Sequence, residues 1–200
     1  MTNNKTLDLI AIGRSSVDLY GQQVGGRLED MASFSKAVGG CPTNIAIGTA
    51  RLGLKSGLIT RVGDEHMGRF IREQLQREGV DVSGVHTDKN RLTALVLLGI
   101  RDDKSFPLIF YRSDCADSAL DESDIDEAYI ATTRSIVVTG THFANPHNAA
   151  AQKKAMSIAK KNNAKIVFDI DYRPNLWGLA GHGAGEERYI KSGDVTAHLA

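Results

Sequence analysis

Four short apolar runs, spaced so that helix-length segments fit between most of them, constrain this chain more than any other feature. They are Leu7 to Ile12, which stops at Gly13, then Ser56 to Val62, Ser135 to Gly140 and Lys165 to Asp171. Runs of this length read as strands buried in a core. Strands that alternate with helices favour a parallel sheet joined by right-handed crossovers.

The segments between them carry helix signals. Gly39-Gly40-Cys41-Pro42 opens a helix in which Ile45, Ala46, Thr49, Ala50 and Leu52 recur at helical spacing, and Gly53 ends it. Asp64 is the expected cap of a second helix with an apolar face of Met67, Phe70, Ile71 and Leu75 and an exit at Gly79. Ser123 with Asp126 resembles a capping box for a short helix over 123–130. His147 to Asn162 reads as a long helix, and the tail from Gly185 as one more. Two β-rich stretches, 20–37 and 92–112, interrupt the alternation. The second holds Leu92 to Ile100 and Phe106 to Tyr111 around the polar turn Arg101 to Ser105. The expectation is an α/β core over 1–19, 38–91 and 113–200, with 20–37 and 92–112 forming a small β lid.

Charge and composition remove several function classes. Lys+Arg and Asp+Glu both number 24, so the chain lacks the excess positive charge of a nucleic-acid platform. No apolar run nears the ~20 residues of a membrane span, and the polar start from Met1 to Asp8 does not resemble a signal peptide. Two cysteines, Cys41 and Cys115, without a CxxC, fit a reduced, cytoplasmic compartment.

Familiar site motifs are missing. After the first strand the chain gives Gly13-Arg14-Ser15-Ser16-Val17-Asp18, not the G-x-G-x-x-G of a dinucleotide fold. Gly48 and Gly53 have phosphate-loop spacing, but Leu54 follows where lysine is needed, and the pair ends a helix instead of starting one. No G-x-S-x-G elbow occurs. His142 and His147 are five apart, out of step for a shared metal on a helix face. What remains is Gly39-Gly40 before a helix start, where backbone can approach a ligand and free N–H groups favour polar or anionic groups. Asn44 adds a donor and an acceptor there. Asp18 lies past the first strand, where α/β sheets bind ligands, and its carboxylate suits two neighbouring hydroxyls. A plain loop–helix junction and a turn aspartate are the alternatives for these two elements.

Taken together, Gly13 to Asp18, Gly39-Gly40 with Asn44 and Ala46, Arg61-Val62-Gly63-Asp64 with Gly68, and the two lid-like stretches resemble the PfkB-type, ribokinase-like family of sugar kinases. The resemblance implies that Asp18, Gly39, Gly40 and Asn44 hold a sugar, that ATP and Mg2+ are used, and that lid strands pair in a homodimer. Phe110-Tyr111-Arg112, Ala116-Asp117, Glu127-Ala128-Tyr129-Ile130 and Phe168-Asp169-Ile170-Asp171-Tyr172-Arg173-Pro174 look like the acid-sugar branch. That branch comprises 5-dehydro-2-deoxygluconokinases of inositol catabolism and 2-keto-3-deoxygluconate kinases, the latter commonly with Asn where Asp171 stands. The finer resemblance implies that Tyr111, Arg112 and Arg173 meet the sugar acid and that Asp171 and Arg173 serve the phosphate end. Guanidinium forks suit both carboxylate and phosphate oxygens; surface salt-bridging is the alternative for both arginines.

The family's catalytic aspartate belongs to a late Gly-Ala-Gly-Asp motif. Gly183-Ala184-Gly185-Glu186 ends in Glu and lacks the family's lead-in, so it reads as a loop before a helix. The expectation is therefore a substrate-binding portion with its base beyond Ala200, close to inactive alone. A non-catalytic sugar-acid-binding module is the alternative of another class.

Overall fold

The computed structural model describes residues 5–102, 106–173 and 177. Pro174, the Gly183 to Glu186 motif, the expected tail helix and part of the Arg101 to Ser105 turn lie outside the described residues.

The first apolar run forms β1, Leu9–Ile12, with all four side chains buried. It is the middle strand of a five-stranded parallel sheet with β4 (Ser56–Gly63), β5 (Val85–Asp88), β8 (Ser135–Thr139) and β9 (Lys165–Asp169), in the order β5-β4-β1-β8-β9. Such strands are apolar on both faces because helices cover both. Leu9 and Ala11 point to one side, into a cluster with Ala46 of α1 (Cys41–Arg51) and Ile71 and Leu75 of α2 (His66–Arg77). Ile10 and Ile12 point to the other, against Ile130 of α3 (Glu127–Ala131) and Ala151, Ala155 and Ile158 of α4 (Pro146–Lys161).

The small second sheet is present, in the order β3-β2-β6-β7 from β2 (Ser16–Gly21), β3 (Phe34–Gly39), β6 (Ala94–Leu98) and β7 (Leu108–Tyr111). It starts at Ser16, ahead of the stretch read as 20–37, so Asp18 sits within β2 and not in a turn after β1. Directly paired residues share a face. Ala37, Asp18, Val96 and Phe110 therefore form one row across the sheet. The opposite face, with Val17, Val38 and Leu95, packs on the α1–α2 side of the core.

Some local signals are displaced. Glu65, not Asp64, caps α2, accepting from the amides of Met67 (2.6 Å) and Gly68 (3.2 Å). The capping box belongs to Asp121 and Asp124 on a short 3-10 turn, and Asp126 caps α3, which starts at Glu127. Strand β5 escapes a sequence reading because four residues, three of them polar, carry no apolar run. Among the described residues no helix is long and apolar enough to cross a membrane.

Glu65 also accepts from the Thr93 amide at 3.1 Å, which ties the start of α2 to the segment entering β6. Glu65→Ala removes a cap and an inter-sheet tie together. It is expected to lower unfolding free energy by about 2 kcal/mol in urea titrations.

Candidate active site

The sheet order fixes where a ligand can sit. From β1 the chain builds outward to β4 and β5, then returns to place β8 on the other side of β1. A crevice opens at such a switch point, beyond the carboxyl ends of the strands. Gly13 and Arg14 follow β1 there, and Gly140 to His142 follow β8. Gly13 has φ 136° and no Cβ; a methyl group in its place would lie 2.9 Å from Nδ1 of His142. The imidazole thus fills space that glycine leaves.

The glycine pair brings three elements to the same place. Gly39 ends β3 and packs directly on the Asp18 carboxylate, with no room for a Cβ. Gly40, at φ 97°, turns the chain into α1, its hydrogen-only side against the Arg14 carbonyl. No side chain caps α1, so amides of its first turn stay open toward the crevice end of the sheet. Asn44 lies on this first turn with its side chain exposed. Asp18 accepts from the Ser16 hydroxyl at 3.1 Å. Burial pushes its carboxyl above the ordinary value, against the pull of Ser16, Arg14 and Arg112.

Facing Asp18 is a buried set of charges. Arg112, just past β7, pairs with Asp117 at 2.8 Å; the Asp117 side chain is fully buried and that of Arg112 nearly so. Burial would raise the Asp117 carboxyl, but its neighbours, Arg112 foremost, hold it below the usual range. His142 is buried beside them. Burial first, then repulsion from Arg112 and Arg14, pushes it down to about 3, so it is neutral at physiological pH. Arg14 lies with its guanidinium 5.4 Å from the Phe110 ring centre, and burial with Arg112 lowers it to about 10. Past β9, Arg173 pairs with Asp171 at 2.7 Å, and the Thr141 hydroxyl donates to the Asp171 carbonyl at 2.7 Å.

Asp18, Gly39, Gly40, Arg112, Asp171 and Arg173 therefore gather at one end of the sheet, and Asn44 stands at its rim. Tyr111 does not join them. Phe110 faces Arg14, and the strand alternation turns Tyr111, more than half exposed, to the opposite face. Cys41 donates to Asp169 at 2.9 Å, and burial with that carboxylate keeps its thiol protonated. Sequence reasoning did not single out Arg14, and it weighed His142 only as a metal ligand. The available signal was a charged residue one glycine past a wholly buried strand. Arg173, half exposed at the crevice end, has the chemistry for phosphate oxygens. Among the described residues no three His, Cys, Asp or Glu side chains gather as a metal site.

The model of the pfkB family carbohydrate kinases matches residues 6–182. The chain belongs to the PfkB family. Its relatives include proteins named 5-dehydro-2-deoxygluconokinase from Bacillus velezensis, 41% identical over 177 residues (88% of this chain, 54% of the relative), and from Bacillus subtilis, 40% identical over 174 residues (86% and 54%). This PfkB chain thus spans about half the length of the curated relatives it matches. A PfkB protein from Polaromonas sp. JS666 superposes with TM-score 0.81 at 34% identity, covering 86% of this chain and 58% of that one. A sugar kinase from Pyrococcus horikoshii in complex with ATP gives 0.75 at 29% identity, covering 90% and 56%.

Two outcomes follow from this PfkB crevice. Arg112→Met strands a fully buried carboxylate and is expected to cost about 3 kcal/mol, most of it recovered when Asp117→Leu is added; urea titrations of both variants check this. His142 is neutral when folded but takes a proton when unfolded, so the unfolded state binds more protons below the ordinary value of 6.5. Stability is expected to fall as pH drops from about 6.5 toward 3, with the Asp117 carboxyl adding to the loss at the acid end. In His142→Gln the fall between pH 7 and pH 4 is expected to shrink.

Proposed function

We propose that this chain is the substrate-binding portion of an ATP-dependent kinase that phosphorylates the terminal hydroxyl of 5-dehydro-2-deoxygluconate. The observation that carries the reading is the meeting of two chemistries in one crevice. Asp18 offers a carboxylate to paired hydroxyls, while Arg14, Arg112 and Arg173 make the facing wall favourable for anions. A neutral hexose has no use for that wall; a sugar acid does. The name shared by the relatives from the two Bacillus species supports the same substrate.

In this reading ATP supplies the phosphoryl group and Mg2+ offsets its charge. The chain's own residues do the positioning. Asp18, held by Ser16 and backed by Gly39, fixes the hydroxyl edge of the sugar. The open first turn of α1 and the Asn44 amide take further oxygens. Arg173, anchored by Asp171, meets the phosphate end. The Asp18–Val96–Phe110 row of the small sheet faces Arg14 through Phe110, and in this reading it would cover the bound sugar. Its outer strands, β3 and β7, are the edges through which two copies would pair. Two free cysteines suit a cytoplasmic enzyme.

The test is ATP-dependent phosphorylation by the intact protein carrying this sequence, with 5-dehydro-2-deoxygluconate, 2-keto-3-deoxygluconate, fructose and ribose compared. The first is expected to give the highest kcat/KM. Fructose or ribose at equal efficiency rejects the acid-sugar class. Asp18→Ala is expected to raise KM for the sugar roughly ten- to a hundredfold, with the far-UV spectrum unchanged.

A further inference from the structure

Three guanidinium groups face the crevice, but they are not equivalent. Arg112 is committed to Asp117 at 2.8 Å and Arg173 to Asp171 at 2.7 Å. Arg14 has no carboxylate and no side-chain hydrogen bond among the described residues, although it is only 6% exposed and its Nε is fully buried without a partner. Leaving a charged fork unsatisfied in such a place is costly. A guanidinium has five donors in a rigid plane, and the Phe110 ring satisfies none of them.

Its placement is also over-determined. The Arg14 carbonyl accepts from the buried Thr43 hydroxyl at 2.9 Å, and Gly40 is glycine where any Cβ would meet that carbonyl. Around it lie other buried polar atoms without partners: the Ser15 hydroxyl, Arg112 Nε, Asp117 Oδ1 and both nitrogens of His142. Unpaired polar atoms are scarce in folded proteins, and gathering them around one switch-point crevice marks a place where a polar ligand completes the structure. Asp117 and Asp171 are bound to Arg112 and Arg173 at salt-bridge distance, so the one guanidinium of the three whose fork has no carboxylate on it is that of Arg14, which feels Asp117, Asp171 and Asp18 only at longer range.

We infer that Arg14 is the residue that reads the carboxylate of the substrate, its planar fork taking the two oxygens side by side. Arg112 then acts as a positioning residue, held by Asp117 and adding charge without giving up its pair. This rests on the sugar-acid reading above and assigns the specificity of that site to a residue outside the Gly-Gly/Asn signature. Bidentate recognition is a property of arginine that lysine does not share.

The experiment uses the intact protein carrying this sequence and two substrates, 5-dehydro-2-deoxygluconate and its neutral carboxamide. The readout is the ratio of kcat/KM for acid over amide in wild type, Arg14→Met, Arg14→Lys and Arg173→Met. Arg14→Met is expected to lower that ratio roughly ten- to a hundredfold, chiefly through KM for the acid, and Arg14→Lys to recover only part of it. Arg173→Met is expected to lower kcat/KM for both substrates alike and so to keep the ratio. A wild-type ratio in Arg14→Met, or full rescue by Arg14→Lys, overturns the bidentate role. If Arg14→Met does not fold, the lysine variant decides alone, since it keeps the charge and loses the fork. A wild type that phosphorylates acid and amide equally overturns the sugar-acid reading itself, and this inference with it.

Discussion

The contact on which the rest of this structure depends is the approach of backbone to backbone at Gly39 and Gly40. Strand β3 passes into α1 across these two residues, with Asp18 lying on one and the Arg14 carbonyl on the other. A methyl group at either position would force the small sheet, α1 and the exit of β1 apart. Gly40 also needs its positive φ, a conformation side chains resist. Because these elements meet so closely, a carboxylate from one sheet and a guanidinium from the end of the other share one crevice.

That crevice is electrostatically tense by construction. Arginines 14, 112 and 173 and aspartates 18, 117 and 171 converge with His142 where the chain reverses its strand order. Two arginines are compensated at close range by their own aspartates. The third is not, and Asp18 feels burial more strongly than its cationic neighbours. Fixed charges and unfilled hydrogen bonds in a largely water-excluded place suit binding more than stability, as expected of a site that awaits a ligand. His142 contributes by staying neutral: a protonated imidazole would add to the positive charge of Arg14 and Arg112, and both oppose its protonation.

Much of the architecture was legible because four of the five core strands are short apolar runs and the helix starts carry local signals. The order of the five strands was not, since pairing partners far apart in sequence leave no trace in one chain. The start of β2 was missed because Ser16 and Asp18 are polar; they face the crevice, so that strand shows only half of a buried pattern. The caps at Glu65 and Asp121 differ from those expected because several acidic residues precede each turn, and backbone geometry selects among them. Tyr111 entered the site through the resemblance of Phe110-Tyr111-Arg112 to the acid-sugar branch, and alternation along β7 turns it to the other face of the small sheet.

By itself the sequence determined the class of fold, the position of the glycine turn before α1 and the candidacy of Asp18, because these follow from local periodicity and from what a missing Cβ allows. Only the tertiary structure decided which arginines are already paired. Arg112 finds Asp117 five residues away and Arg173 finds Asp171 two residues away, while Arg14 meets neither. Both pairs are near neighbours along the chain; what chain order does not contain is that the exit of β1 brings Arg14 into the same buried place without a salt-bridge partner of its own, because that meeting depends on how the two sheets and α1 pack.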